Sequence, residues 1–377
     1  MCRNPFVYGI EVSGDSFWGR EKEKQKLKKD ILNSQNVVIY SKRRMGKTSL
    51  VKEVLNNLPK GKFVTSYLDL YPSNSIEDFI SCYANSVTQA IVGPFDKIIL
   101  EIKSLFKSFT PSFTVNDDGK PMFNLDFGRE TKENILLDEV IEAFPEHCRK
   151  RDKQGVFVID EFQQIGIYDK DHKLEALLRS HFQTHRDVAY IFLGSKKHLL
   201  TDIFSMPNRP FYHSTKMFPL GEIEYQTTLN CVMDRFKKTG CKINQEHAEH
   251  LIKISKNHPY YTQRLAHTVW NLLVERDKTV NDKIIDDAFI EIKRESSDYF
   301  RSLCELLTSH QLKALKTAAH IEENDKIFSK DFLSKHNWQK DSLKQVLDTL
   351  VEKDMLSREE HTYMIDDIFF HKWLLEN

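Results

Sequence analysis

Hydrophobic positions change period several times along the chain, and the changes divide it. Val37-Val38-Ile39-Tyr40, Val156-Phe157-Val158-Ile159 and Ala189-Tyr190-Ile191-Phe192-Leu193 are unbroken apolar runs rich in β-branched and aromatic residues. Such runs suit strands buried on both faces, as in a parallel sheet covered by helices. Residues 62–70 alternate toward a strand ending at Asp69, and Met217-Phe218-Pro219-Leu220 reads as the last core strand. Between the strands, residues 20–33, 49–55, 76–92, 95–106, 136–144 and 174–181 space their apolar positions three and four apart, which predicts helices. Pro145 is read as closing one of them. Strand and helix in alternation predict an α/β core over residues 1–220. Residues 109–128 interrupt it: alternation on both sides of Asp117-Asp118-Gly119 predicts an inserted β-hairpin. Its phenylalanines suit a partner surface or, more economically, packing on the parent domain.

From Gly221 the period is helical, with helices expected at 225–239, 245–255, 260–275 and 282–300, an all-α segment over 221–300. Residues 301–377 read as a separate unit. Helical patterns at 309–320, 329–335 and 340–353 precede two short strands around Arg358-Glu359-Glu360-His361. Three helices and a β-wing are the winged-helix pattern.

The chemistry concentrates where the first strand ends. Tyr40 is followed by Ser41-Lys42-Arg43-Arg44-Met45-Gly46-Lys47-Thr48-Ser49, which opens a helix. Strand, loop, Gly-Lys-Thr and helix are the context of a phosphate-binding P-loop. Backbone N–H groups there form a concave anion site, and Gly46 lets the chain approach a phosphate closely. Lys47 is expected on the β- and γ-phosphates and Thr48 on Mg²⁺. Ser41 stands where the motif has its first glycine. Asp160 and Glu161 end another buried strand, where α/β sheets place ligands. Asp160 suits Mg²⁺ and Glu161 suits an attacking water, so with the P-loop the pair predicts a nucleotide site. Ser195 follows a third strand and reads either as a γ-phosphate sensor or as a turn residue. Phe17-Trp18-Gly19-Arg20, ahead of the first strand, suits an adenine ring or a staple on the next helix. Arg264 reads as facing nucleotide or, more simply, as a solvated surface arginine.

Composition narrows the partners. Lys+Arg and Asp+Glu number 55 each in 377 residues, so global charge favours neither nucleic acid nor membrane. On the expected recognition helix Lys340 and Lys344 are offset by Asp341, Asp348 and Glu352, and the wing adds Glu359 and Glu360. That favours a protein contact over DNA. Six scattered cysteines suggest reduced thiols and a cytoplasmic setting, and no apolar run is long enough for a membrane span.

Several motifs in order resemble one family: Asn4-Pro5-Phe6, Phe17-Trp18-Gly19-Arg20, Arg43-Arg44-Met45-Gly46-Lys47-Thr48-Ser49-Leu50, Phe157-Val158-Ile159-Asp160-Glu161-Phe162-Gln163, Phe192-Leu193-Gly194-Ser195-Lys196, Arg209-Pro210-Phe211-Tyr212 and His258-Pro259-Tyr260-Tyr261-Thr262-Gln263. Tyr363-Met364-Ile365-Asp366 and Trp373-Leu374 extend the match to the last residues. The chain resembles the prokaryotic "archaeal ATPase" group of the STAND branch of AAA+ P-loop ATPases. The resemblance implies a P-loop core, a helical lid and a winged helix, with ATP and Mg²⁺ as cofactors. It implies Lys47, Glu161 and Ser195 in catalysis, and Thr48 and Asp160 at the metal. Nucleotide would be bound by Gly19, Arg20, Ser41, Arg44, Met45, Gly46, Lys47, Thr48 and Ser49. Three departures stand out: Ser41, His213-Ser214 where the family tends to have Gly-Arg, and Asn257 for a lid glycine. Without that arginine, with Arg179 and Arg209 as candidate substitutes, slow hydrolysis and a switch are expected. Its output would pass to a homo-oligomer or a separate effector protein, with stress or phage defence as the setting by analogy. The rival readings are a DNA-binding regulator or loader using the winged helix, and a nucleotide-binding scaffold without turnover.

Overall fold

The computed structural model describes residues 3–91, 95–115, 121–127, 133–274, 279–321, 325–359 and 362–377. Contacts divide the chain into two compact units, Gly9–Ile223 and a helical unit of Glu224–Asn377 joined by the stretch up to Tyr8.

The strands of the first unit are β1 (Val37–Tyr40), β2 (Phe63–Asp69), β3 (Phe109–Val115), β4 (Pro121–Phe127), β5 (Gln154–Asp160), β6 (Val188–Gly194) and β7 (Lys216–Pro219). Five of them form one parallel sheet in the order β2-β5-β6-β1-β7. Alternate residues serve opposite faces, as the pleat requires. Val156 and Val158 join Ile191, Leu193 and Leu50 in one core, whereas Phe157 and Ile159 join Tyr83, Phe144, Tyr190 and Phe192 in the other. The second core is aromatic: Tyr83 stacks on Phe157 and Phe182 on Tyr190, with centroids 4.5 and 3.8 Å apart. β1 lies between β6 and β7, so its C-terminal end opens beside that of β6 and one strand away from that of β5.

The hairpin is present as β3 and β4, with Phe113 opposite Phe123; its Asp117-Asp118-Gly119 turn lies outside the described residues. Phe109 at its base is buried against the core. Pro145 does not close its helix, which runs from Glu133 to Lys150. Proline forfeits one ladder hydrogen bond, but Val140, Ile141, Phe144 and Cys148 keep a buried stripe running through it. The helix Lys197–Ser205 follows β6 where the sequence reads as loop.

In the helical unit, the segment expected as one helix at 282–300 is two, Asp282–Glu295 and Ser297–Glu305. Helices Ser309–Ala319, Lys330–Lys335 and Lys340–Glu352 precede the antiparallel wing of β8 (Ser357–Glu359) and β9 (Thr362–Met364). A final helix, Ile368–Glu376, returns Phe369 to Tyr261 and Trp373 to Phe300, and the Trp373 indole N–H donates to Ser297 Oγ (3.0 Å). That return packing is why 221–300 and 301–377, separate in the sequence reading, form one unit.

The N-terminal stretch also departs from its expected place in the 1–220 core. Phe6 is fully buried, 4.8 Å from the Phe236 ring. Asn4 Nδ2 donates to His267 O, Arg235 Nη1 to Pro5 O and the His267 ring to Phe6 O. A segment outside helix and sheet needs partners for its backbone, and these helices supply them. Among the described residues five cysteines are free, and no helix is long and apolar enough to cross a membrane.

Candidate nucleotide-binding site

The loop after β1 alternates its backbone hand. Arg44 (φ 59°) and Gly46 (φ 85°) are left-handed, and Ser41 is not among the positive-φ residues. Ser41 therefore tolerates its Cβ in the place of the motif's first glycine. Alternation of this kind turns successive N–H groups toward one concave side. Lys47, Thr48 and Ser49 are the first residues of the helix Lys47–Asn56, so their N–H groups have no intrahelical acceptor. Site and helix end together form an anion cradle.

Lys47 is 9% exposed. Its ammonium donates to Ser41 Oγ at 3.0 Å and toward Lys42 O at 3.4 Å. Burial lowers its pKa, against the opposing pull of Asp160 and Glu161, and nearby Arg43 lowers it further. A buried ammonium held only by neutral oxygens favours an incoming anion. Ser41, the departure in the motif, is thus the group on which Lys47 rests.

Asp160, at the end of β5, meets the loop directly. Its Oδ2 accepts from Thr48 Oγ1 (3.1 Å) and from the Tyr67 hydroxyl, and its Oδ1 accepts from the Glu161 N–H (2.9 Å). Tyr67 was not foreseen. Burial, then the charge of Asp160, pushes its phenol far above the ordinary range, so it remains a donor. β2 and β5 pair in register with Tyr67 beside Val158 and Asp69 beside Asp160. That adjacency would have found it, but strand order is not written locally in the sequence.

Glu161 is left-handed (φ 52°), which turns its side chain away from the strand course. Its Oε2 accepts from Ser195 Oγ at 2.9 Å and from the Gln163 amide. Gln163 is buried, and its Oε1 has no hydrogen-bond partner among the described residues. Gly194 makes room for it: a Cβ there would lie 2.1 Å from that oxygen. Glu161 is therefore held by neutral donors from Gln163, just past β5, and Ser195, just past β6.

The remaining predicted residues support the loop from behind. Arg20 (φ 64°, 5% exposed) donates to Met45 O at 3.0 Å and pairs with Glu23 at 3.1 Å. Gly19 is left-handed beside it (φ 65°). Met45 is itself buried, so it offers backbone rather than side chain. The Ser49 hydroxyl accepts from Val12 N (3.2 Å), and Gly14 N donates to Glu53 (2.9 Å), which lays the preceding segment along the helix. Arg209 is committed elsewhere, in a two-point pair with the fully buried Glu175. Arg179, whose buried Nε has no hydrogen-bond partner among the described residues, remains as the other candidate. Arg264, in the helical unit, donates to Ser296 Oγ (2.8 Å) and lies over the Phe369 ring. Asn257 takes the left-handed conformation a glycine would (φ 52°).

Residues 17–265 match the family described as an ATPase domain predominantly from Archaea, and residues 298–376 match a probable winged helix domain. Two uncharacterised ATP-binding proteins of Methanocaldococcus jannaschii are similar. One is 30% identical over 162 residues (41% of this chain, 45% of that protein) and the other 28% over 204 (52% and 48%). The chain spans about half the length of these curated relatives. Among solved structures, the Walker-type ATPase of Pyrococcus abyssi aligns over 98% of this chain and 99% of its own, with TM-score 0.67 and 18% identity. The Aeropyrum pernix ORC2 protein aligns over 96% and 95%, with TM-score 0.57 and 13% identity. At those identities the likeness is one of fold: a P-loop ATPase architecture.

Proposed function

The chain belongs to the family of ATPase domains found predominantly in Archaea, and from that premise we propose that it binds ATP with Mg²⁺ and hydrolyses it slowly. In this reading it is a switch, read out by a second copy of the chain or by a separate effector protein. The observation that carries the proposal is the meeting of two distant segments: Thr48 Oγ1 lies 3.1 Å from Asp160 Oδ2, with Lys47 and Glu161 beside them.

Each residue then has a task. The N–H groups of residues 46–49 receive phosphate oxygens, and Lys47 exchanges Ser41 for the β- and γ-phosphates. Thr48 and Asp160 are hard oxygen donors that converge, which suits Mg²⁺. When bound, the ion stabilises charge on the phosphoryl oxygens. Glu161 orients the attacking water and takes up its proton, while Ser195 and Gln163 fix the carboxylate. Slow turnover is expected because His213-Ser214 stand where the family tends to have Gly-Arg and Arg209 is committed to Glu175, which leaves Arg179 as the candidate cation for the γ-phosphate charge.

Turnover by the purified chain, measured at dilute and concentrated protein, tests this. Glu161→Gln should keep ATP binding and lose about 10²-fold or more in rate, and Lys47→Ala should lose binding as well. A rate that rises with protein concentration would place the missing cation on a second copy. Equal background rates in wild type and Glu161→Gln, with both binding ATP, would reduce the protein to a nucleotide-binding scaffold.

A further inference from the structure

Four side chains outside the nucleotide site meet near the start of β6. The helix Glu133–Lys150 carries Asp138 and Glu142 one turn apart on one face. His181 lies in the last turn of the helix Lys173–Phe182, and His185 follows shortly before Val188 begins β6. Glu142 Oε1 is 2.8 Å from His181 Nδ1 and 2.8 Å from His185 Nε2. The other ring nitrogens are occupied too. His181 Nε2 lies 3.0 Å from Asp138 Oδ1, and His185 Nδ1 lies 2.7 Å from the Tyr190 hydroxyl.

The arrangement has the parts of a metal centre. One ligand atom each from Glu142, His181 and His185 falls within 4.8 Å of the others. In a tetrahedral site with ligands about 2.0–2.1 Å from zinc, ligand atoms are roughly 3.3 Å apart, so Glu142 Oε1, at 2.8 Å from each histidine nitrogen, has to back away to admit the ion. Both histidines already have an outer partner on the far nitrogen, as metal-bound histidines almost always do. Hydrogen counting points the same way. A neutral imidazole has one N–H, yet His181 faces a carboxylate oxygen with each nitrogen. Either both nitrogens carry hydrogen or a cation replaces the one facing Glu142. Arg149 approaches the other Glu142 carboxylate oxygen, Oε2, at 3.8 Å and does not fill the position between the imidazoles.

We propose that Glu142, His181 and His185 bind a zinc ion, with Asp138 and Tyr190 as outer partners and water as the fourth ligand. Two imidazoles select zinc over Mg²⁺ or Ca²⁺. Binding expels the hydrogen between His181 and Glu142 as a proton to solvent, and the hydrogen of His185 passes by tautomer exchange from Nε2 to Nδ1, where it donates to the Tyr190 hydroxyl. His181 is 20% exposed, which gives the ion a way in. Tyr190 and Ser195 are five residues apart along β6, roughly 16 Å at about 3.3 Å per residue. The ion therefore acts as a clip between the helix Glu133–Lys150 and the turn feeding β6, away from the phosphates.

The test uses the full chain, stripped of metal and dialysed against zinc in excess Mg²⁺, followed by metal analysis and thermal melting. One zinc per chain and a zinc-dependent rise in Tm are expected. His181→Ala and the isosteric Glu142→Gln should each weaken binding at least tenfold. The helical unit has its own histidine–carboxylate pairs, His247 with Asp282 and His250 with Asp286; the double variant His247→Ala with His250→Ala should keep the zinc. The proposal is overturned if wild type binds none, if Glu142→Gln binds as tightly as wild type, or if only the control variant loses the ion.

Discussion

Tyr67 places a phenol on the carboxylate that the nucleotide reading assigns to Mg²⁺, and this is the residue whose role is least visible from the chain alone. Asp160 Oδ2 takes two hydrogen bonds, from Thr48 and from Tyr67. In the proposed reading Thr48 turns to the metal when Mg²⁺·ATP binds, whereas Tyr67 stays and keeps Asp160 in position. A hydrogen bond to a charged acceptor is worth about 1.5–3 kcal/mol, part of which water restores on deletion. Tyr67→Phe should therefore raise the Mg²⁺ concentration needed for tight nucleotide binding about three- to tenfold, leaving metal-free binding unchanged. Titration of a fluorescent ATP analogue at graded Mg²⁺ reads both; an unchanged Mg²⁺ dependence would make Tyr67 a packing residue. The placement of Lys47, Thr48, Asp160 and Glu161 was legible, because each sits in a run of residues that itself predicts strand end or helix start. Tyr67 and Gln163 were not, because their roles depend on which strand lies next to which.

Close approach decides the elements. Gly155 is the second residue of β5, and a Cβ there would meet Phe144 at 2.8 Å, Cys148 at 2.9 Å and Val188 at 3.0 Å. The helix Glu133–Lys150 can press onto the sheet only over that glycine. Gly155→Ala should cost about 1–3 kcal/mol, seen as a lower urea midpoint with an unchanged m value. The same helix shows why the sequence misleads at Pro145: local propensity ends the helix, while four buried positions spanning it keep the helix going. The buried strands read correctly for the converse reason, since their apolar runs agree with the tertiary environment. This helix also carries the clearest pH dependence. His147 contacts Glu101 on the helix Phe95–Leu105, and Arg151 pairs with the same carboxylate at 2.8 Å. Burial, against the pull of Glu101, lowers the His147 pKa. Burial lifts that of Glu101, but His147 and Arg151 outweigh it and leave it low. Both folded values lie below the unfolded ones, so both groups stabilise at neutral pH and lose that contribution as pH falls. His147 acts from about pH 6.5 downward and Glu101 from about pH 4.3. Glu101→Gln should flatten the acid limb below about pH 4.3 in midpoint-against-pH measurements; an unchanged limb would assign it to other carboxylates.

For the whole molecule, the sequence gives the class of each part more readily than the grouping. The P-loop core and the helical segments are written in period and motif. That the stretch up to Tyr8 belongs with the helices is not, because Phe6 finds Phe236 and Asn4 finds His267 only across more than two hundred residues. The same limit applies to the winged helix, whose pattern is legible and whose use depends on where charges end up. Asp348 accepts from the Tyr363 hydroxyl (2.6 Å) and from Arg358 of the wing (3.1 Å), so a wing cation is tied to the helix Lys340–Glu352. Lys340 and Lys344 share that helix with Asp341 and Glu352, and Leu343, Leu347 and Leu350 face inward. Duplex binding draws its free energy from cations that displace counterions at phosphates. A face with this balance has few to offer. The chain should therefore show no duplex affinity at about 50 mM salt, and Lys340→Glu with Lys344→Glu should leave ATP turnover unchanged. Fluorescence anisotropy with a labelled duplex checks the first point. Binding that falls steeply with salt and disappears in the charge-reversed variant would favour a DNA-binding role for the winged helix over the proposed protein partner.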